Sequence, residues 1–290
     1  MANQYDEIGL AYESMKQLPA TVLERLTFQS VMTPLLAGRE GVKILDLACG
    51  TGYYTRLLRG WGGESVASIL GIDLSAVMID AARGKEGVAA SSSSSPAGNE
   101  SLAKLTFLVG DCTQPLDNLP DGPFDVVTGA WLLNYASSRS EMTAMWRNIS
   151  HNLQSTTGVF VGITPYPASD LSAFAASFSP NSNPAAGHDR EKYGVSVTYT
   201  SALPSGEGYA TKITADTSPK EIVFENFHLS REVYEASARE GGMLGEVSWI
   251  EPKVPPATEE ESWTLYGVER AWWDEYSTRT HFGIMVVRKS

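Results

Sequence analysis

Three aspartates, each closing a short apolar run, are the residues of this 290-residue chain whose type and spacing could do chemistry. Asp46 lies in "KILDLACGTGYYTRLL" (43–58), Asp73 in "LGIDLSAVMIDAAR" (70–83) and Asp111 in "FLVGDCT" (107–113). The turn after the first run is glycine-rich, as in phosphate-binding loops, but its details are wrong for phosphate. A dinucleotide loop needs G-x-G-x-x-G, and counting from Gly50 the third position is Thr55; a P-loop needs Lys-Ser or Lys-Thr after its glycines, and neither follows. Residues 46–55 contain no Lys or Arg. At about 4 Å two like charges repel by on the order of 1 kcal/mol even in bulk water, and more in a crevice, so a phosphate beside Asp46 is disfavoured.

A cationic ligand reverses that sign. Gly50 and Gly52 let the backbone approach a ligand closely and reach positive φ. The helix expected from Tyr53 offers its first N–H groups to a carboxylate, and Asp46 attracts an ammonium directly or through water. Asp73 is placed to accept both hydroxyls of a ribose, as the corresponding acid does in dinucleotide folds, and Asp111 to accept from the amino group of a base. Each acid alone is an ordinary loop residue. Three at successive strand ends form a constellation.

The elements that must position them alternate along the chain. Strands are expected at Val42–Leu47, Ser68–Ile72, Leu105–Val109, Asp125–Ala130 and Gly158–Thr164, with helices at Tyr53–Arg59, Ala76–Arg83 and Glu141–Leu153. Short apolar strands alternating with helices predict a mostly parallel, doubly wound α/β sheet. Apolar residues at helical spacing over 5–36, broken by Pro19 and Pro34, predict two or three helices before the first strand. The run "GVAASSSSSPAGNES" (87–101) is read as a flexible insertion, too poor in apolar surface to offset its ordering entropy. Over 165–228 the alternation stops, and the β-like runs "YGVSVTYT" and "EIVFENF" belong to an insertion that caps the crevice. Ser230 then caps a helix over "REVYEASARE", followed by the strand "VSWI", a helix over 259–276 and the strand "HFGIMVVRK".

The motifs "LDLACGTG", "GIDLSAVMIDAAR", "VGDCTQPL" and "FDVVTGAWLLNYA", in this order and spacing, resemble those of class I S-adenosylmethionine-dependent methyltransferases. The resemblance covers nearly the whole chain. More narrowly, "HLSREVYEASAREGGM" with the later "AWWDEY" is similar to small-molecule methyltransferases of the toxoflavin-synthesis type and their fungal relatives in secondary metabolism. The family implies a single Rossmann-like domain over 1–290: an N-terminal helical lid (1–40), a cofactor-binding core (41–164), a substrate cap insertion (165–228) and the end of a seven-stranded sheet whose last strand is antiparallel (229–290). It implies S-adenosylmethionine as cofactor, with S-adenosylhomocysteine as product. By that resemblance Tyr12 of the lid closes over the cofactor; Asp46, Ala48, Gly50 and Gly52 line its methionine side. Asp73 and Leu74 hold the ribose side, Asp111 and Cys112 the adenine, Ala130 with Trp131 form the fourth loop, and Met78 is a further cofactor contact. Where Ala48 and Cys49 stand the family often has Gly.

For the acceptor, a cluster of aromatic residues around the expected crevice mouth points to a small planar or hydrophobic molecule, with Tyr5, Tyr135, Tyr166 and Phe227 as contacts. Of four histidines, His151 ends a helix, His188 lies in an irregular loop and His281 opens the final strand. His228 closes the cap just before a helix and is the candidate base or acceptor-orienting group. A base is needed for a phenol, whose pKa is about 10, but not for a neutral amine, so the pattern leaves O- and N-methylation open. The formal net charge of −12 argues against nucleic acid or an anionic membrane as partner. The fourth motif also lacks the Asn/Asp-Pro-Pro-Tyr pattern used on nucleobase or amide nitrogens. Two unspaced cysteines imply neither a disulfide framework nor a metal site, and the polar N-terminus with no long apolar run is read as that of a cytoplasmic protein. A competing reading keeps the cofactor but drops the methylation: a protein of the same fold that catalyses another reaction or serves as a partner subunit.

Overall fold

The structure, a computed structural model, describes residues 4–92, 103–179, 181, 189–218, 220–252 and 280–290. Its centre is a seven-stranded sheet built from β1 (Val42–Leu47), β2 (Val66–Asp73), β3 (Lys104–Val109), β4 (Val126–Ala130), β5 (Val159–Pro165), β9 (Val247–Ile250) and β10 (Phe282–Arg288). The strands lie in the order β3-β2-β1-β4-β5-β10-β9. The first five are mutually parallel, and β10 runs antiparallel to both β5 and β9. This is the Rossmann-like, doubly wound sheet with an antiparallel last strand that the sequence implied. The strand order reverses between β2 and β4, so a crevice opens at the C-terminal end of β1.

Strand alternation divides the core into two layers. Ile44, Val126, Val161, Ile163, Phe282 and Ile284 pack on one face, with Phe28 and Leu36 of α2 (Pro19–Leu36) and Tyr54 and Leu58 of α3 (Tyr53–Gly62). Leu45, Leu47, Val127, Phe160, Met285 and Val287 pack on the other, with Trp146 and Ile149 of α5 (Arg139–Asn152) and Val233 and Tyr234 of α8 (Arg231–Glu240). Ser138 caps α5 by accepting from the Glu141 N–H, as its position before an acid three residues on requires.

Several boundaries differ from the sequence reading. Pro34 does not break α2, because it stands in the last turn, two residues before Leu36 ends the helix. The helix α4 (Ala76–Ser92) extends beyond Arg83 into the expected insertion, whose first residues include good helix formers at Ala89 and Ala90. The remainder of that insertion, His188 and the expected helix over 259–276 lie outside the described residues. Ahead of α2 come a short helix, α1 (Gln4–Ile8), and a 3-10 helix over Gly9–Gln17. The capping insertion leaves the sheet at the end of β5 and carries α6 (Leu171–Ser177), α7 (Asp189–Tyr193) and a second sheet, β6 (Val195–Ala202), β7 (Gly208–Ala215) and β8 (Ile222–Leu229), paired antiparallel in that order. The sequence reading held only two of these strands. The missed β7 alternates Tyr209, Thr211 and Ile213 with small or charged residues, and a Pro-Ser-Gly turn with Gly206 at φ +73° joins it to β6. No helix among the described residues is long and apolar enough to cross a membrane.

The turn between β1 and α3 is set by three left-handed residues: Ala48 (φ 55°), Gly50 (φ 55°) and Gly52 (φ 73°). Glycine meets this demand freely, but the Cβ of alanine crowds the following carbonyl, at about 1–2 kcal/mol. Ala48→Gly is therefore expected to stabilise the fold by about 0.5–1 kcal/mol, the strain relief exceeding the extra chain entropy of the unfolded state. Denaturant melts of the two proteins measure it, and a loss of stability would mean that the alanine methyl contributes packing that outweighs the backbone strain.

Candidate active site

The three aspartates meet at the C-terminal edge of β1, β2 and β3. Asp46 is the most enclosed, 1% exposed, and its two oxygens accept from Thr55 Oγ1 (2.6 Å) and Thr128 Oγ1 (2.9 Å). The partner threonines come from the first turns of α3 and from β4, the strand beside Asp46 in the sheet. Asp73 ties two loops together: its Oδ2 accepts the Gly50 N–H (2.8 Å) and its Oδ1 the Ser75 N–H (2.9 Å). Burial raises the Asp73 pKa, although both N–H groups pull against it. Asp111 accepts from the N–H and hydroxyl of Thr113 (2.8 and 2.6 Å), fixing the loop after β3. Cys112 beside it is buried, with its thiol pushed up to about 12 by desolvation.

A crevice at this edge is lined by Tyr12, Lys16, Asp46, Ala48, Cys49, Gly50, Thr51, Ala130 and the start of α3. No side chain caps the first N–H groups of α3, and a Cβ at Gly50 would meet nothing within 4 Å. The glycine therefore faces open space, where a ligand can lie against the backbone. Leu74, 54% exposed at the end of β2, and Val109, 52% exposed at the end of β3, leave apolar surface beside the two loop acids, as a flat base requires. Met78 does not reach the crevice lining; it is 1% exposed, and its N–H donates to Ser75 Oγ (3.2 Å).

The N-terminal segment lies over this edge. Asp6 Oδ1 accepts from Ser75 Oγ (2.5 Å), the side-chain amide of Gln4 pairs with both backbone groups of Glu225 in β8 (3.1 and 3.2 Å), and Glu13 holds Arg56 (3.1 Å). Lys16, 6% exposed, forms an ion pair with buried Glu24 (2.9 Å) and lies 4.9 Å from the Tyr54 ring centroid. Tyr54 also donates its hydroxyl to Glu24.

A second cavity, about 700 Å³ with its mouth included, shares Tyr12 and Lys16 with the crevice. Its floor is Trp131, Asn134, Tyr135 and His281, and its roof is one face of the cap sheet, on which Val195, Val197 and Tyr199 stand beside Thr211, Ile213, Phe224, Asn226 and His228. These are alternate residues of three strands, as a pleated sheet presents them. Trp131, left-handed at φ 65°, stacks on His281 (6.0 Å, 10°) and so belongs to this cavity rather than to the cofactor crevice where the sequence reading put it.

The expected acceptor contacts divide. Tyr135 lines the cavity; Tyr5 stands behind it, edge-on to Tyr12 and Tyr135 (5.5 and 5.8 Å). Phe227 lies on the opposite face of β8, because the strand register turns Phe224, Asn226 and His228 inward. Tyr166 also falls outside the lining: its ring stacks on Phe174 (5.2 Å) and its hydroxyl donates to Glu251 (2.9 Å). Lys16, Glu24, Asn134, Tyr199, Asn226 and His281 were missed. Only the β-pattern around Tyr199 and Asn226 signalled a face; the others are brought in by tertiary packing.

His228 does face the cavity, but both ring nitrogens are engaged. Its Nε2 is 2.9 Å from the Tyr166 carbonyl, which can only accept, so Nε2 carries the hydrogen and Nδ1 accepts from the Tyr199 hydroxyl (2.7 Å). Burial lowers its pKa to about 4, and that of His281 to about 4 as well. Both are neutral at pH 7 and weak as bases.

Over residues 44–156 the chain matches a family model described as a methyltransferase domain. No curated protein matches it. Among solved structures it is similar to an S-adenosylmethionine-dependent methyltransferase from Clostridium acetobutylicum (14% identity, 90% of this chain and 89% of that one, TM-score 0.53) and to the CcbJ methyltransferase from Streptomyces caelestis (15%, 90% and 88%, 0.53). It is likewise similar to a putative S-adenosylmethionine-dependent methyltransferase from Listeria monocytogenes (18%, 92% and 99%, 0.53). At such identities the likeness establishes the fold.

The crevice chemistry fits that cofactor. The enclosed Asp46, with Asp73 bonded to the loop beside it and no basic side chain in the glycine loop, favours a sulfonium and an ammonium, and the uncapped α3 favours a carboxylate. Burial raises the Asp46 pKa to about 6, against the pull of the Thr55 and Thr128 hydroxyls. With the folded pKa above the unfolded one, the stabilising contribution of Asp46 is complete below pH 4 and lost as pH rises through 6. Above pH 6 its charge burdens the empty fold and attracts a bound cation. Asp46→Asn should therefore stabilise the ligand-free protein by about 1–3 kcal/mol at pH 8 and hardly at all at pH 4, while weakening cofactor binding. In the unsubstituted protein cofactor affinity should fall by up to about tenfold per pH unit below pH 6. Thermal melts and calorimetric titrations across pH 4–8 check both signs. Residues 44–156 thus match a methyltransferase domain, and the chain as a whole has the fold of S-adenosylmethionine-dependent methyltransferases.

Proposed function

We propose that the chain methylates an oxygen or nitrogen of a small, planar and largely apolar acceptor, of the natural-product kind suggested by its sequence resemblance. The observation that carries this reading is the aromatic cavity roofed by the cap sheet, which adjoins the cofactor crevice through Tyr12 and Lys16. Its aromatic and aliphatic walls suit a planar, apolar ligand, and its position beneath the cap sheet disfavours a folded protein or a nucleic-acid duplex. When bound, S-adenosylmethionine supplies an electrophilic methyl group, and the electron pair of the broken carbon–sulfur bond stays on sulfur. The chain's own part is alignment and exclusion of water. Trp131 and Tyr135 fix the acceptor plane from below, Phe224 and Ile213 from above, and Tyr12 closes the junction.

The Tyr199–His228 pair is the cavity's proton-handling group. An acceptor O–H or N–H can donate to Tyr199 Oη while the tyrosine proton moves to His228 Nδ1, with the Tyr166 carbonyl holding the opposite side of the ring. His228 thereby orients Tyr199 and touches the acceptor through it. Its low pKa makes this pair a weak base, which favours acceptors that are already acidic or carry a free lone pair.

Incubation with methyl-labelled S-adenosylmethionine and a panel of small phenols, hydroxyarenes and nitrogen heterocycles is the direct test; label transferred to at least one acceptor supports the reading. Persistent absence of transfer beside tight cofactor binding would turn it toward a non-methylating role. Asp73→Ala is expected to weaken S-adenosylhomocysteine binding by about 1–3 kcal/mol through lost charge-assisted hydrogen bonds, as measured by calorimetry. Tyr199→Phe and His228→Ala should each lower kcat for an acceptor that must lose a proton, and the double variant no further than either alone. Additive losses would show that the two residues act separately.

A further inference from the structure

We propose that Asn134 reads the acceptor, and that the acceptor carries an amide-like edge, a lactam or cyclic imide with an N–H donor beside a C=O acceptor. The inference rests on the acceptor cavity assigned above. Asn134 stands in the short turn Leu133–Tyr135 after β4, lines the cavity and is 1% exposed. Neither its Nδ2 nor its Oδ1 has a hydrogen-bond partner among the described residues. Buried amide groups in folded proteins are nearly always paired, and one left with donor and acceptor both unused in a cavity wall is completed by what the cavity holds.

Several neighbouring polar groups are already paired. Lys16 is bound to Glu24, and Glu24 also receives Tyr54; Thr21 donates to the Met15 and Leu18 carbonyls (both 2.9 Å); Thr211 donates to Asn226; Tyr199 donates to His228. With Lys16 neutralised by Glu24, the cavity has no spare charge for an ionic acceptor, whose burial without a partner is strongly unfavourable. Asn134 offers one donor and one acceptor side by side. A carboxylate would answer with two acceptors, an ammonium with donors alone, and a hydroxyl or neutral amine through a single atom that cannot face both groups at once. A cis-amide edge answers both with two parallel hydrogen bonds, and a ring carrying that edge fits between the Trp131–His281 stack and the Phe224 wall.

The test titrates the full chain, with and without S-adenosylhomocysteine, with three probes of equal ring size: isoquinolin-1-one, 1-naphthol and naphthalene. The lactam is expected to bind about tenfold more tightly than the other two, because a site built to pair a donor and an acceptor discriminates against ligands lacking either. Asn134→Leu should abolish that preference, leave naphthalene binding intact or stronger, and raise the melting temperature by removing two unpaired buried atoms. Asn134→Asp, which keeps the shape but loses the donor, should also abolish it. Equal binding of the three probes, a lactam preference that survives Asn134→Leu, or a steep fall in its melting temperature would overturn the proposal. Failure of S-adenosylhomocysteine to bind would count against the crevice reading instead, and the probe comparison in its absence would still decide the role of Asn134.

Discussion

A carboxylate taken out of water at the end of β1 is the constraint around which the rest is arranged. Asp46 can remain there because Thr55 and Thr128 supply hydroxyl donors from two different elements, so α3 and β4 are held at fixed positions relative to β1. The same fixation sets where the sheet parts and where the glycine turn is aimed. Asp73 then links the turn to the loop after β2 through the Gly50 and Ser75 N–H groups. Both acids are raised in pKa by burial, and the glycine loop between β1 and α3 brings no cation to relieve them. A positively charged ligand at this edge would therefore relieve the cost of burying them.

The acceptor side is organised on a different principle. Its cavity is apolar and aromatic, and its charged residues cancel in the Lys16–Glu24 pair, whose lysine lines both spaces. A buried ion pair of this kind contributes little net stability, since desolvation offsets most of the attraction. What it does provide is a fixed position for α2 and the preceding 3-10 helix against α3 without leaving net charge beside a transferring methyl group. The weak histidines fit the same neutral environment. If this cavity takes the acceptor, as proposed, proton transfer there would depend on the acceptor's own acidity more than on a strong base of the protein.

Much of the cofactor half was legible in the sequence because it is encoded locally. The glycines at 50 and 52, the acids at strand ends and the strand–turn–helix alternation each act within a few residues of their own position. The acceptor half was legible only in outline. The sequence marks the cap as an insertion after β5, yet which residues face inward is fixed by strand register, and this turned Phe224 inward where Phe227 was expected. The middle strand of the cap, β7, was missed because its inward positions include Thr211, a residue with little apolar signal. His228 was found by its place at the end of the cap, but its hydrogen bonds come from residues 29 and 62 positions away and could not be read from spacing. Asn134 gives no sequence signal at all, since an unpaired amide is defined by what fails to surround it.

The side chain of Gln4 pairs with the N–H and C=O of Glu225 as a neighbouring strand would, and two residues further on Asp6 is bonded to Ser75 in the loop that carries Asp73. One five-residue helix thus connects the cap sheet to the loop after β2. Displacing it frees both ends together. An opening of this edge would therefore loosen the cap sheet and the loop after β2 in one movement, coupling exchange from the crevice to exchange from the cavity.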